Sequence, residues 1–135
     1  MAMPAPVTLL VHGGAGTLTR ANLSPAQELE YRDALGQALR AGQSLLLRGA
    51  SAVDAVVAAV SVLEDCPLFN AGKGSVFTHE GRNEMDAAVM DGATGQAGAV
   101  AGVVSVRNPI LAAQAVMQHS GHVLLIGQGA EAFAQ

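Results

Sequence analysis

The spacing of hydrophobic and polar residues predicts a strand followed by a long helix at the start of the chain. Residues 7–12 form an apolar run that ends at a glycine cluster, as expected for a buried strand followed by a tight turn. Ser24, Pro25 and Gln27 then match a helix start, with a serine N-cap, a proline in the first turn and a glutamine three positions after the cap. We expect this helix to extend to Gly49.

A second, buried helix is predicted from an N-cap at Ser51 to Leu63. Its alanine and valine residues occupy all faces, so most of the helix should be covered. Gly36 and Gly42 interrupt the first helix, where glycine costs about 1 kcal/mol relative to alanine. Because a glycine lets a neighbouring backbone come close, we expect a close helix contact at these two positions.

The middle of the chain predicts neighbouring antiparallel strands. An irregular stretch over residues 68–75 is followed by three strand candidates, over residues 76–78, 84–90 and 97–106. Glycine-containing turns separate these candidates, which favours a meander of antiparallel strands.

The last part of the chain returns to alternating helix and strand. Asn108 and Pro109 begin a helix that ends near His119, residues 122–126 form a strand, and Gly129 begins a short helix. The resulting order, βααβββαβα, predicts an α+β domain with layered sheet and helices. No internal repeat or linker indicates a second domain, so residues 1–135 are expected to form a single piece. The chain ends a few residues into that last helix, and we expect it to be incomplete.

Composition excludes several classes of protein. The chain has 135 residues, of which 50% are hydrophobic and 13% charged, so it requires a packed core and is not intrinsically disordered. Its net charge of −4 argues against a nucleic-acid partner. One cysteine, the lack of a leader-like N-terminus and the lack of an apolar run near 20 residues indicate a cytoplasmic chain outside the membrane.

The glycine loop, residues 12–16, leaves two interpretations open. Its backbone N–H groups could cradle an anion, or the glycines could serve a tight turn between strand and loop. A dinucleotide-binding fingerprint fails because Thr19 stands where its third glycine belongs. The later run Gly72-Lys73-Gly74 also fails as a phosphate-binding loop, because Pro67 and Gly74 replace the required glycine and hydroxyl residue.

The apolar stretch over residues 67–72 is the second candidate site. A loop of this kind must satisfy its backbone carbonyls internally or through an ion, and a hard cation would serve. Asn70 within it could act on a ligand or bridge its own loop. Glu84 and Asp86 alternate onto one strand face, where they could perform acid/base chemistry, although pairing with Arg82 or Arg107 is the more common explanation.

Several segments in chain order resemble the plant-type L-asparaginase and isoaspartyl peptidase family: residues 12–16, 63–77, 84–92 and 97–103. The resemblance implies an αββα sandwich of the N-terminal-nucleophile hydrolase type, with this chain supplying about half. Family members are precursors that cut themselves before a threonine, which then supplies both the nucleophilic hydroxyl and the amine base. The resemblance identifies this chain as the α subunit, with the nucleophilic threonine on a β subunit and an (αβ)2 heterotetramer as the assembly.

The resemblance also assigns supporting roles within this chain. Asn70 corresponds to the asparagine beside the nucleophile, and Gly13 and Gly14 correspond to the glycine loop associated with autocatalytic cleavage. No cofactor is implied for catalysis. A structural sodium ion is implied, bound by the main-chain carbonyls of Leu63, Glu64, Cys66, Phe69, Ala71 and Lys73.

The implied function is hydrolysis of L-asparagine and of β-aspartyl (isoaspartyl) dipeptides to L-aspartate through an acyl-enzyme on threonine. The chain should be inactive without its β subunit. Two alternatives stay open: a non-catalytic module that binds a small ligand or nucleotide, and an endopeptidase resembling threonine aspartase.

Overall fold

A computed structural model of the chain describes residues 6–14 and 19–135. The longer elements within these ranges are α1 (Pro25–Leu47), α2 (Ala52–Glu64), β1 (Met85–Met90), β2 (Ala97–Val103), α3 (Pro109–His119), β3 (Leu124–Ile126) and α4 (Gly127–Phe133). Short 3-10 turns occupy Arg20–Asn22 and Gly72–Gly74. The expected combination of helices with a β-sheet is confirmed. No helix in the described ranges combines the length and apolar character needed to cross a membrane.

The two predicted N-terminal helices are confirmed, because local cap residues specify them. Ser24 Oγ accepts from the backbone N–H of Gln27 at 3.2 Å, and Gln27 Oε1 accepts from the backbone N–H of Ser24 at 3.0 Å. This reciprocal capping box fixes the start of α1. Gly49, with φ of +82°, follows the end of the helix in the left-handed conformation that terminates helices.

The predicted close contact is confirmed at Gly42 but is wrong at Gly36. A Cβ at Gly42 would lie 2.6 Å from the backbone oxygen of Ala55, so α1 and α2 meet here backbone to backbone. A Cβ at Gly36 would meet only the Arg40 guanidinium of its own helix.

The three strands of the sheet are joined by one hairpin connection and one crossover connection. Strands β1 and β2 pair antiparallel, as predicted, and β3 joins the other side of β2 in parallel after the chain crosses over through α3. Ala88 lies opposite Ala99, which in turn lies opposite Leu124. The predicted strands over 97–106 and 122–126 are shorter than expected, and the last helix begins at Gly127 instead of Gly129.

Two predicted strands do not form within the described residues. Residues 7–12 have no strand partner there, and Leu10 is 85% exposed, so the expectation of a buried strand is wrong. A strand requires a neighbour for its N–H and C=O groups, and the sheet lies elsewhere. The candidate over 76–78 reduces to one bridge between Phe77 and Asn83, because the Asn83 amide binds the Ser75 carbonyl at 2.6 Å.

Helices α2, α3 and α4 cover one face of the sheet, and α1 packs on α2. Met85, Ala87, Val89, Val100, Val103 and Leu125 pack against α2, α3 and α4 in the core. The other face, here called the open sheet face, has no layer built by the described residues. It consists of Asp86, Ala88, Met90, Ala97, Ala99, Ala101, Leu124 and Ile126, with Ile126 65% and Met90 62% exposed. The described residues thus form one helical layer and one sheet.

Candidate functional site

The candidate site is built on the Asn70 loop, residues 65–75, which connects α2 to the strand region. Phe69 is 5% exposed and anchors this loop in the core between α1 and α2. Its ring meets Tyr31 edge-on, with centroids 5.7 Å apart and planes at 81°. The buried ring therefore fixes the loop immediately before Asn70.

Two glycines let the loop fold tightly over the end of α2. Gly72 has φ of +50°, and a Cβ there would collide with the Glu64 carbonyl. A Cβ at Gly74 would collide with the carbonyls of Phe69 and Pro67. Both positions therefore require glycine, and one main-chain oxygen lies against Gly72 and two lie against Gly74.

The six carbonyls expected to bind sodium fall into two groups. Those of Leu63, Phe69 and Ala71 accept backbone N–H groups of Cys66, Ala71 and Gly74 at 3.2, 2.8 and 3.0 Å. Those of Glu64, Cys66 and Lys73 receive no backbone hydrogen bond from another described residue. Because a carbonyl oxygen has two lone pairs, all six retain acceptor capacity and their chemistry suits a hard cation. Within the described ranges, His, Cys, Asp and Glu side chains form no cluster that could hold a metal.

Asn70 bridges its own loop and also faces a cavity. Its Oδ1 accepts from the backbone N–H of Val76 at 3.0 Å, which confirms the structural interpretation of this residue. A cavity of about 270 Å³ is lined by Asn70 together with Ser75, Glu84 and Asp86. The structure therefore brings together the asparagine and the two carboxylates that the sequence identified separately.

The predicted pairing of these carboxylates with arginine is wrong for the described residues. Asp86 Oδ1 accepts from the backbone N–H of Gly102 at 2.8 Å. Arg107 instead makes a two-point contact with Asp65, whose carboxylate oxygens lie 3.2 Å from Nε and from Nη2. The Arg107 guanidinium holds the pKa of Asp65 below its ordinary value.

Glu64 was missed as a structural carboxylate by sequence reasoning. Its side chain is 3% exposed, and Oε1 accepts from the backbone N–H of Ile110 at 2.9 Å, in the first turn of α3. Burial raises the pKa of Glu64, and the hydrogen bond from Ile110 opposes that shift. The available signal was a first turn of α3 without an acidic residue, where a carboxylate from elsewhere can bind the free N–H groups.

The glycine loop approaches the Asn70 loop at Phe69. A Cβ at Gly13 would lie 3.2 Å from Phe69 Cε1 and 3.3 Å from Leu35 Cδ2, so glycine permits this packing. Gly14 has φ of +106°, and its N–H donates to His12 Nδ1 at 3.2 Å. The rest of the proposed anion cradle, residues 15–18, lies outside the described residues.

Comparison with known proteins gives consistent matches along the chain. The sequence profile of the family described as Asparaginase matches residues 5–135. The chain is 56% identical over 126 residues to the isoaspartyl peptidases of Salmonella typhimurium and Escherichia coli, which covers 93% of this chain. It is 50% identical over 129 residues to the plant-type L-asparaginase of Pyrococcus abyssi, which covers 96% of this chain.

The matches cover much less of the relatives. The shared region is 40% of the Salmonella protein, 39% of the Escherichia coli protein and 41% of the Pyrococcus protein. The chain therefore spans about 40% of the length of these curated relatives. The profile match over residues 5–135 includes both segments that meet at Phe69, the glycine loop and the Asn70 loop. On this evidence the chain belongs to the asparaginase family.

Proposed function

We propose that this chain is the α subunit of an amidohydrolase that acts on L-asparagine and β-aspartyl dipeptides. The observation that carries the proposal is the 56% identity to two isoaspartyl peptidases across 93% of the chain. The proposed substrates share a free α-amino acid end on a β-acyl group. The chain's 40% share of its relatives' length supports a second piece from the same precursor.

The proposed reaction uses a threonine at the start of that β subunit. Its hydroxyl passes a proton to the threonine amine and attacks the amide carbonyl on the β-acyl group, and the C–N bond breaks. The proton leaves with the departing ammonia or amino acid, and water then hydrolyses the resulting ester and restores the hydroxyl. Asn70 contributes from this chain. Because the Val76 N–H must bind the amide oxygen, the Asn70 Nδ2 group faces away with donors available for the nucleophile or the reacting amide.

A sodium ion in the Asn70 loop is part of the proposal. The carbonyls of Leu63, Glu64, Cys66, Phe69, Ala71 and Lys73 would hold it. Support comes from the oxygens that crowd Gly72 and Gly74 and from the three carbonyls without a backbone donor. The ion would stiffen the segment that positions Asn70, and it takes no part in bond making.

The remaining parts of the proposal concern maturation and assembly. Gly13 and Gly14 support autocatalytic cleavage, since Gly13 packs against the Phe69 ring that holds the Asn70 loop and Gly14 provides the turn that follows, with φ of +106°. The β subunit covers the open sheet face with its own sheet, which completes an αββα sandwich, and two αβ units form the (αβ)2 assembly. The exposed apolar residues of that face support this arrangement.

The first experiment is denaturing mass analysis and N-terminal sequencing of the protein expressed from its full-length gene. A second chain that begins with threonine, together with release of ammonia from L-asparagine and of amino acids from β-aspartyl dipeptides, is expected. A product that consists of this chain without a partner and lacks both activities would overturn the proposal in favour of a binding module.

Asn70→Asp tests the role of the Asn70 donors. The substitution keeps an oxygen for the Val76 N–H and removes the Nδ2 donors, so the loop should persist while turnover or maturation slows. We expect a loss of about 10-fold or more, since removal of one hydrogen bond to a developing charge costs 10²–10³-fold in known cases. Cleavage and kcat equal to wild type would remove Asn70 from the site.

A further inference from the structure

The open sheet face contains one charged residue. Asp86 lies on the same face of β1 as Ala88 and Met90, beside the row that ends at Ile126. Every other member of the open sheet face is apolar. A carboxylate in this position calls for an explanation, because an apolar face that becomes covered disfavours an isolated charge.

An irregularity in the sheet beside Asp86 accounts for part of its placement. The pairing of β1 with β2 shifts between Met85 and Ala87, so β2 carries an extra residue opposite Asp86. Gly102 provides this bulge with φ of +63°, and its N–H donates to Asp86 Oδ1 at 2.8 Å. This bond satisfies the unpaired N–H of the bulge but leaves most of the acceptor capacity of the carboxylate unused.

The apolar residues around Asp86 require a cover. Leu124 is 52%, Met90 62% and Ile126 65% exposed, and contiguous apolar patches of this kind mark protein interfaces. The length of the relatives indicates what covers the face. Since the chain spans 40% of an isoaspartyl peptidase relative, about three-fifths of such a protein lies outside it and is available to cover the face.

We propose that the covering segment, encoded after this chain in the same precursor, donates a hydrogen bond or a cationic group to the free oxygen of Asp86. The inference rests on the proposed function for the existence of that segment. Covering the face removes Asp86 from water, and a second donor must then replace the water that its other carboxylate oxygen would lose. An arginine, lysine or hydroxyl side chain has the matching chemistry.

This contact would also set the position of the covering segment relative to Asn70. Asp86 and Asn70 line the same cavity of about 270 Å³, so a donor bound to Asp86 fixes the cover next to that cavity. Asp86 is therefore a positioning residue. Its loss should weaken association of the two pieces and reduce kcat more than it raises KM.

The test compares Asp86→Asn with Glu80→Gln in the full-length protein. The first variant keeps an amide oxygen for the Gly102 N–H but presents an NH₂ group to the incoming donor. The second makes the same chemical change at an exposed residue in the turn before β1, outside the sheet. We expect Asp86→Asn to raise the apparent dissociation constant of the two pieces at least about tenfold, measured by dilution and native chromatography. Glu80→Gln should leave it unchanged.

Equal dissociation constants for both variants and wild type would overturn the proposal, because Asp86 would then serve only the bulge. A measurement on the wild-type protein guards against misfolding of the variants. Carbodiimide-activated amide coupling should leave Asp86 unmodified in the native protein, modify Glu80, and modify both in urea. Coupling of Asp86 at the rate of Glu80 would also overturn the proposal.

A photo-crosslinker at Ala88 identifies the occupant. Crosslinks to residues encoded beyond this chain support the proposal, and crosslinks to a second copy of residues 1–135 overturn it. The proposed function can fail separately. If the full-length protein neither cuts itself nor hydrolyses a β-aspartyl substrate, the thermal stabilities of Asp86→Asn and Glu80→Gln and the crosslinks still decide the role of Asp86.

Discussion

Two glycines with similar backbone conformations provide a sharp test of the Asn70 loop. Gly72 and Gly81 have φ of +50° and +75°, where a residue with a side chain costs about 1–2 kcal/mol. A Cβ at Gly72 would collide with the carbonyl of Glu64, whereas a Cβ at Gly81 would meet no atom within 4 Å. Alanine at either position therefore carries the same backbone cost, and only Gly72→Ala adds a steric one.

The steric cost at Gly72 is large because the obstacle is backbone, which cannot rotate away. Overpacking of this kind costs about 1–3 kcal/mol, which brings Gly72→Ala to about 2–5 kcal/mol against about 1–2 kcal/mol for Gly81→Ala. The strain is relieved by movement of the Asn70 loop. Because a displacement of about 1 Å near a reacting centre can cost about 10²-fold in rate, we expect kcat/KM to fall about 10- to 100-fold for Gly72→Ala.

The assay uses both variants of the full-length, matured protein. Hydrolysis of a β-aspartyl dipeptide gives kcat/KM, urea unfolding gives stability, and replacement of sodium by choline gives the sodium dependence of each. Gly81→Ala should lose a little stability and keep the wild-type kcat/KM. Gly72→Ala should lose activity, and its free energy of unfolding should depend on sodium more strongly than that of the wild type. Identical behaviour of the two variants would refute the assignment of the Asn70 loop to the site.

Three further predictions concern packing, acid stability and the open sheet face. Gly42→Ala should lower the free energy of unfolding by about 1–2 kcal/mol, whereas Gly36→Ala should raise it by up to about 1 kcal/mol, and urea titration of both variants checks these opposite signs. The Ser105 hydroxyl and the backbone N–H groups of Ser105 and Val104 lower the pKa of Glu131, so its stabilising effect is complete above its ordinary pKa and lost as the pH falls through the lowered value. Wild type should therefore melt above Glu131→Gln at pH 7, and the difference in melting temperature should shrink as the pH falls below the ordinary pKa of a glutamate. A difference that stays constant in acid would contradict this. A thiol introduced as Ala88→Cys should resist alkylation in the assembled protein and react in urea. Rapid alkylation of the native protein would show that nothing covers the open sheet face.

The helices could be predicted because the signals that start them are local. Ser24 and Gln27 satisfy one another's backbone within one turn, and the Ser51 hydroxyl caps α2 by accepting from the backbone N–H of Asp54 at 3.0 Å. These interactions need no distant partner. The same reasoning worked at Gly42 and failed at Gly36, because sequence shows that a position is open but not which element faces it.

The strand predictions were less successful, because a strand needs a neighbouring strand and the sequence does not show which segment that is. Residues 7–12 have a strand pattern as clear as that of β1, yet no described strand adjoins them. The segment over 76–78 lost its strand geometry because the Asn83 side chain occupies the carbonyls of Ser75 and Val76. Alternating apolar residues favour an extended backbone, but pairing decides whether a strand forms.

The polar contacts of the candidate site could not be predicted either, because they also join residues that are distant in the sequence. Glu64 binds a backbone N–H 46 residues later, and Asp86 binds one 16 residues later. The acceptor in each case is identifiable in the sequence, but its donor is a main-chain group exposed by a helix start or a bulge. Resemblance predicts a role for Asn70, since it compares residues at matched positions, but it could not show that the Val76 N–H fixes the orientation of the amide. That orientation leaves the Asn70 Nδ2 donors without an acceptor among the residues that the structure describes, and the contrast between Asn70→Asp and wild type depends on it.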